Sequence, residues 1–75
     1  MKVDKLRGII VSEGMTQEQV ARQIGMSPKT FYNKMKKGVF GTDEVLAMVE
    51  LLDIDDPADI FLSKEQLLEL RFVGR

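Results

Sequence analysis

Apolar residues recur along the chain at three- and four-residue intervals, interrupted at short distances by glycine, proline and small hydroxyl residues. Val3, Leu6, Ile9 and Ile10 keep helical spacing and Gly14 follows as a stop, which predicts a first helix over 3–12. Thr16 with Gln19 three residues on has the form of a capping box, and the helix it opens carries Val20, Ala21 and Ile24 on one face before Gly25 ends it. Ser27 is the next cap. Pro28 suits the first helical position, where a missing N–H removes nothing. That third helix runs to Lys37, and Gly38 closes it. Val39-Phe40-Gly41 reads as a short apolar connector dropped into the core. Thr42 is expected to cap a fourth helix, with Asp43 and Glu44 in its first turn and a buried stripe of Val45, Leu46, Val49 and Leu52. Asp56-Pro57 starts a short fifth helix through Phe61, and Ser63 with Gln66 repeats the capping pattern for a last helix to about Leu70. The tail RFVGR either frays or pairs as a short strand. No segment argues strongly for a sheet, so the fold class is all-α, a compact bundle of about five short helices.

The bulk composition narrows what such a bundle does. Seventy-five residues make a single domain, 1–75, with a modest core. Cysteine and histidine are both absent, which removes disulfides, thiolate metal sites, the commonest general base and the commonest transition-metal ligand. The acids are scattered and no glycine-rich phosphate loop occurs, so neither catalysis nor a cofactor or metal is expected. No run is long enough to span a membrane, and the N-terminus lacks the apolar core and cleavage site of a secretory signal; a cytoplasmic location is expected.

Net charge is −1, but it is unevenly divided. Residues 1–41 hold eight basic and three acidic residues, a balance of +5, and residues 42–75 hold three basic and nine acidic, a balance of −6. Such asymmetry predicts a basic working face with acidic surface turned away from it.

The stretch from Thr16 to Gly38 shows where that face lies. Two short helices joined by a tight turn at Gly25-Met26-Ser27, with a small Ala21 where they cross, form a helix-turn-helix, pinned to the core by Val20, Ile24, Met26, Phe31 and Met35. In this arrangement the second helix enters the major groove of double-stranded DNA. At about 100° per residue, the inward face set by Phe31 and Met35 leaves Lys29, Asn33, Lys36 and Lys37 on the outside, with Thr30 and Lys34 on one shoulder and Tyr32 on the other. No acidic residue interrupts the chain between Glu18 and Asp43. Functional groups then suggest the roles. Lys29, Thr30, Asn33 and Lys34 are candidate base contacts, since asparagine pairs bidentately with adenine and lysine donates to guanine. Gln17, Arg22, Ser27, Tyr32, Lys36 and Lys37 are candidate phosphate contacts, which supply affinity and register more than sequence information.

These residues resemble the lambda-type Cro and repressor helix-turn-helix family, the XRE family. The shared features are Thr16-Gln17, Ala21, the Gly25-Met26-Ser27 turn and the closing Gly38, with matching helices on either side over roughly residues 3–62. The resemblance implies a lambda repressor-like domain that binds operator DNA, usually as a homodimer, in the manner of short regulators of phages and integrated elements. One position departs from it: the family's second buried residue on the recognition helix falls at Lys34, and Met35 takes the apolar role a step later. That leaves open which of Asn33 and Lys34 reaches deeper into the groove.

A single module grips few phosphates, and dimerisation would double its contacts. The apolar residues Leu67, Leu68, Leu70, Phe72 and Val73 make segment 57–73, and 63–75 in particular, the candidate for a dimer contact. The main expectation is a sequence-specific, Cro-like transcriptional repressor. A different class of function is a protein-interaction module on the same fold, such as an antitoxin or a binder of a phage regulatory partner, using the acidic half.

Overall fold

A computed structural model describes residues 1–61. They form five helices: α1 Val3–Ser12, α2 Gln17–Gln23, α3 Pro28–Lys37, α4 Thr42–Leu52 and α5 Pro57–Phe61. Among the described residues there is no strand, and the class is all-α as the spacing predicts. The Ser63–Gln66 cap, the helix to Leu70, the RFVGR tail and the segment 63–75 lie outside the described residues.

Local chemistry sets most boundaries. The Thr16 hydroxyl accepts the Gln19 N–H, and the Gln19 side chain accepts the Thr16 N–H, so the capping box at α2 is complete. Ser27 caps α3 by accepting the Thr30 N–H, and Pro28 follows at the first helical position. The turn between α2 and α3 closes with Gly25 donating to the Arg22 carbonyl at 3.2 Å and Met26 to the Ala21 carbonyl at 2.9 Å. These two bonds are a Schellman motif, and they require Gly25 to stand at φ +78°. Any residue with a Cβ would pay about 1–2 kcal/mol to hold that left-handed conformation.

Ten side chains form one core: Leu6 and Ile10 from α1, Val20 and Ala21 from α2, Phe31 and Met35 from α3, Met48 and Leu52 from α4, then Ile54 and Ile60. Ile24 and Met26 pack against it while half-buried. Phe31 is fully enclosed and meets the half-buried Phe40 ring at 5.3 Å in a tilted pair. The N-terminal end of α1 is tied to α5: Lys2 donates its backbone N–H to the Ile60 carbonyl at 2.7 Å, and the ammonium groups of Lys2 and Lys5 both reach the Asp59 carboxylate. The Lys5 hydrogen bond, followed by that of Lys2, holds the Asp59 carboxyl below its ordinary range.

Three expectations are corrected. The cap of α4 is Gly41, not Thr42, which lies inside the helix; the Glu44 carboxylate turns back and accepts the Gly41 N–H at 2.7 Å. In the α4 stripe Leu52 is buried and Val49 packs against the core as expected, but Leu46 is 58% exposed and Met48 is the other fully buried residue. Val39 does not drop into the core either, being 67% exposed; only its neighbour Phe40 turns inward.

Candidate nucleic-acid interface

The candidate interface is built from α2 and α3, which among the described residues pack on each other more extensively than any other pair of helices. Val20 and Ala21 from α2 and Phe31 and Met35 from α3 are all buried at or near zero exposure. Packing of this kind fixes the roll of α3. It leaves Lys29, Thr30, Tyr32, Asn33, Lys36 and Lys37 exposed along one side of the helix, with Asn33 diametrically opposite the Phe31–Met35 seam.

Ion pairing divides the basic residues into two sets. Lys2 and Lys5 are held by Asp59, Arg7 by Asp4, Arg22 by Glu18 and Lys34 by Glu44. Among the described residues the basic side chains without an acidic partner are therefore Lys29, Lys36 and Lys37, and all three stand on α3. Positive charge left unpaired on one helix face is suited to a polyanion, because neutralising phosphates releases counterions.

The other candidates are placed as follows. The Ser27 hydroxyl donates to the Thr30 hydroxyl at 2.9 Å while accepting the Thr30 N–H, so the two are locked together at the N-terminal end of α3. Arg22 bonds Glu18 at 2.8 Å one turn back on the same helix; both are well exposed, and such a pair is worth only about 0.3–0.5 kcal/mol, so Arg22 can exchange it for a phosphate at little cost. Gln17 is half-buried in the first turn of α2, and Tyr32 is 48% exposed on the flank of α3. Lys34 stands apart from the outward set. Its ammonium lies 2.8 and 2.7 Å from the two Glu44 oxygens, and it is only partly exposed against α4. The Lys34 hydrogen bond, then the Gly41 N–H, holds the Glu44 carboxyl below its ordinary value. The sequence reading did not find Glu44 as a partner of the recognition helix: ten positions separate it from Lys34, and no local periodicity links them.

Acidic surface gathers elsewhere. A groove of about 440 Å³ between α1 and the α4–α5 connection is rimmed by Glu13, Asp53, Asp55 and Asp56 and by Asp59 paired with Lys5, and includes no residue of α2 or α3. No helix among the described residues is long and apolar enough to cross a membrane.

Two short helices, a glycine turn and an outward face of lysines, unpaired among the described residues, around an asparagine define a helix-turn-helix of the DNA-binding regulator class. Residues 13–38 match a family model described as bacterial regulatory protein, Fis family, which covers the capping box, the turn and the whole of α3. The match spans about a third of the chain and is to a family other than the Cro and repressor group that the motif residues resemble. No curated protein and no solved structure matches the chain.

Proposed function

We propose that this protein is a sequence-specific regulator of transcription that inserts α3 into the major groove of operator DNA, acting as a Cro-like repressor in a phage or integrated element. The observation that carries the proposal is the set of lysines without an acidic partner among the described residues, Lys29, Lys36 and Lys37, arrayed around Asn33 on the exposed side of α3. Asn33, Lys29 and Thr30 are the base readers; Lys36, Lys37, Tyr32, Arg22, Gln17 and Ser27 grip the backbone. Lys34, a candidate base contact from the sequence, is bonded to Glu44 against α4 and is left out of the proposed readers.

Fluorescence anisotropy of a labelled duplex from upstream of the protein's own gene, against a scrambled duplex, tests the reading. Tight binding to the upstream duplex that persists at physiological salt, with the scrambled one released, supports it; equal, salt-labile binding to both counts against sequence-specific autoregulation. In the same assay Asn33→Ala is expected to erode the preference by about 1–3 kcal/mol at one base pair while leaving scrambled-duplex affinity nearly unchanged. An equal loss on both duplexes removes Asn33 from the readers.

The working form is proposed to be a homodimer, because one module makes too few phosphate contacts for tight binding at physiological salt. Sedimentation at tens of micromolar is expected to give twice the chain mass. A monomer at that concentration argues against the dimer.

The acidic groove favours one alternative, a protein-interaction module whose basic partner sits against Glu13, Asp53, Asp55 and Asp56. Failure to bind any duplex, together with recovery of a specific partner in a pull-down, favours it.

A further inference from the structure

Five ion-paired contacts join described residues, and one of them differs in kind. Four have both side chains at least 39% exposed and lie within α1, within α2, or between the chain's first residues and α5. The Lys34–Glu44 pair is 35% and 25% exposed, engages both carboxylate oxygens, and ties the recognition helix to α4. Glu44 is itself held in place, because its Oε1 also accepts the Gly41 N–H at the start of α4. Three hydrogen bonds therefore converge on one carboxylate whose position is set by a helix terminus. Charge-assisted bonds of this geometry are stronger than those of neutral groups and fix orientation.

The pairing has a consequence for DNA. Lys34 is adjacent to Asn33, and on the helical wheel it falls on the same shoulder as Thr30, within a long side chain's reach of a backbone running past α3. An unpaired lysine there would neutralise another phosphate. That adds affinity for every sequence and information about none. Resting on the DNA-binding function proposed above, we infer that Glu44 is a positioning residue for Lys34: it withholds the Lys34 ammonium from the DNA backbone and so keeps the sequence-independent, salt-dependent part of binding low.

Two variants of the full chain separate this role from a merely structural one, since both lose the same ion pair. In Glu44→Gln the side-chain carbonyl still accepts the Gly41 N–H, but Lys34 is released. In Lys34→Gln the pair is lost and so is the cation. Binding of a random-sequence duplex and of the upstream duplex is followed across a salt series. The wild type and Lys34→Gln are expected to share one slope of log affinity against log salt on random duplex, and Glu44→Gln to be steeper by about 0.9, the increment of one added phosphate contact. Affinity rises by a similar factor on the upstream and random duplexes for Glu44→Gln, since the added contact is to phosphate, and the double variant Lys34→Gln/Glu44→Gln returns to the wild-type slope. A Lys34→Gln slope shallower than wild type overturns the inference, because Lys34 then already touches phosphate. An unchanged slope in Glu44→Gln, with a wild type that discriminates between duplexes, overturns it alone; a wild type that binds neither duplex overturns the DNA-binding function as well.

Discussion

Substituting Phe31 by alanine is expected to destabilise the protein by about 3–5 kcal/mol, the usual cost of emptying a buried aromatic site. Phe31 is the largest fully buried side chain, at 0% exposure, and it faces Phe40 at 5.3 Å, so the vacated space has a second ring on its wall. A domain of this size has a stability of only about 4–11 kcal/mol at the usual value per residue. At the lower end of that range the variant sits near its unfolding midpoint under mild conditions. The effect is also functional, because Phe31 sets the roll of α3 and hence the direction in which Asn33 points. Urea unfolding followed by circular dichroism is expected to show a much lower midpoint, with DNA binding lost in parallel. Tyr32→Ala, next in sequence but 48% exposed, is the control: its stability is expected to change by no more than about 0.5 kcal/mol. Comparable losses for the two would mean that the core is organised differently from the packing described.

Replacing Lys36 and Lys37 together by alanine has the largest expected effect on binding. Both are exposed, neither has an acidic partner among the described residues, and they close the last turn of α3. Two lost phosphate contacts are expected to make the salt dependence of random-duplex binding shallower by about 1.8, at about 0.9 per contact. Affinity falls by a similar factor on the upstream and random duplexes, since phosphate contacts carry register and not sequence. The cost to the fold is small, because a cation near a helix C-terminus contributes only about 0.3–1 kcal/mol. A salt series read by anisotropy, with a thermal melt of the same variant, separates the two effects. A variant with an unaltered slope would place the DNA backbone elsewhere on the molecule.

Most of the interface was legible in the chain because it depends on local rules. The Thr16–Gln19 box, the Ser27 cap with Pro28, and the positive-φ glycines at 25 and 38 are each decided within a few residues, and the structure places each where its chemistry predicts. Phe31 and Met35 were likewise identifiable as the inward side of α3, since every other position on that helix from Lys29 to Lys37 is polar or aromatic-polar.

The errors cluster where the local pattern is ambiguous. In α4 the run from Val45 to Leu52 is apolar at every position except Glu50, so periodicity alone cannot tell an inward Met48 from an outward Leu46. Its start was misplaced by one residue because Thr42 is the better capping side chain, whereas the Glu44 contact to the Gly41 N–H fixes the boundary at Gly41. The connector shows the same limit, as Val39 and Phe40 are both apolar and only Phe40 finds a partner in Phe31.

By itself, then, the sequence determined the five helices of residues 1–61, the caps of α2 and α3, the turn between them, and the exposed face of α3, all of which follow from backbone chemistry and side-chain spacing over one or two turns. Which lysines remain available was decided only by the tertiary structure. Lys34 looks equivalent to its neighbours until α4 brings Glu44 beside it, and Lys2 and Lys5 until α5 brings Asp59 to both. The physical reason is that charge pairing depends on distance through space, and those partners are set by how the helices pack.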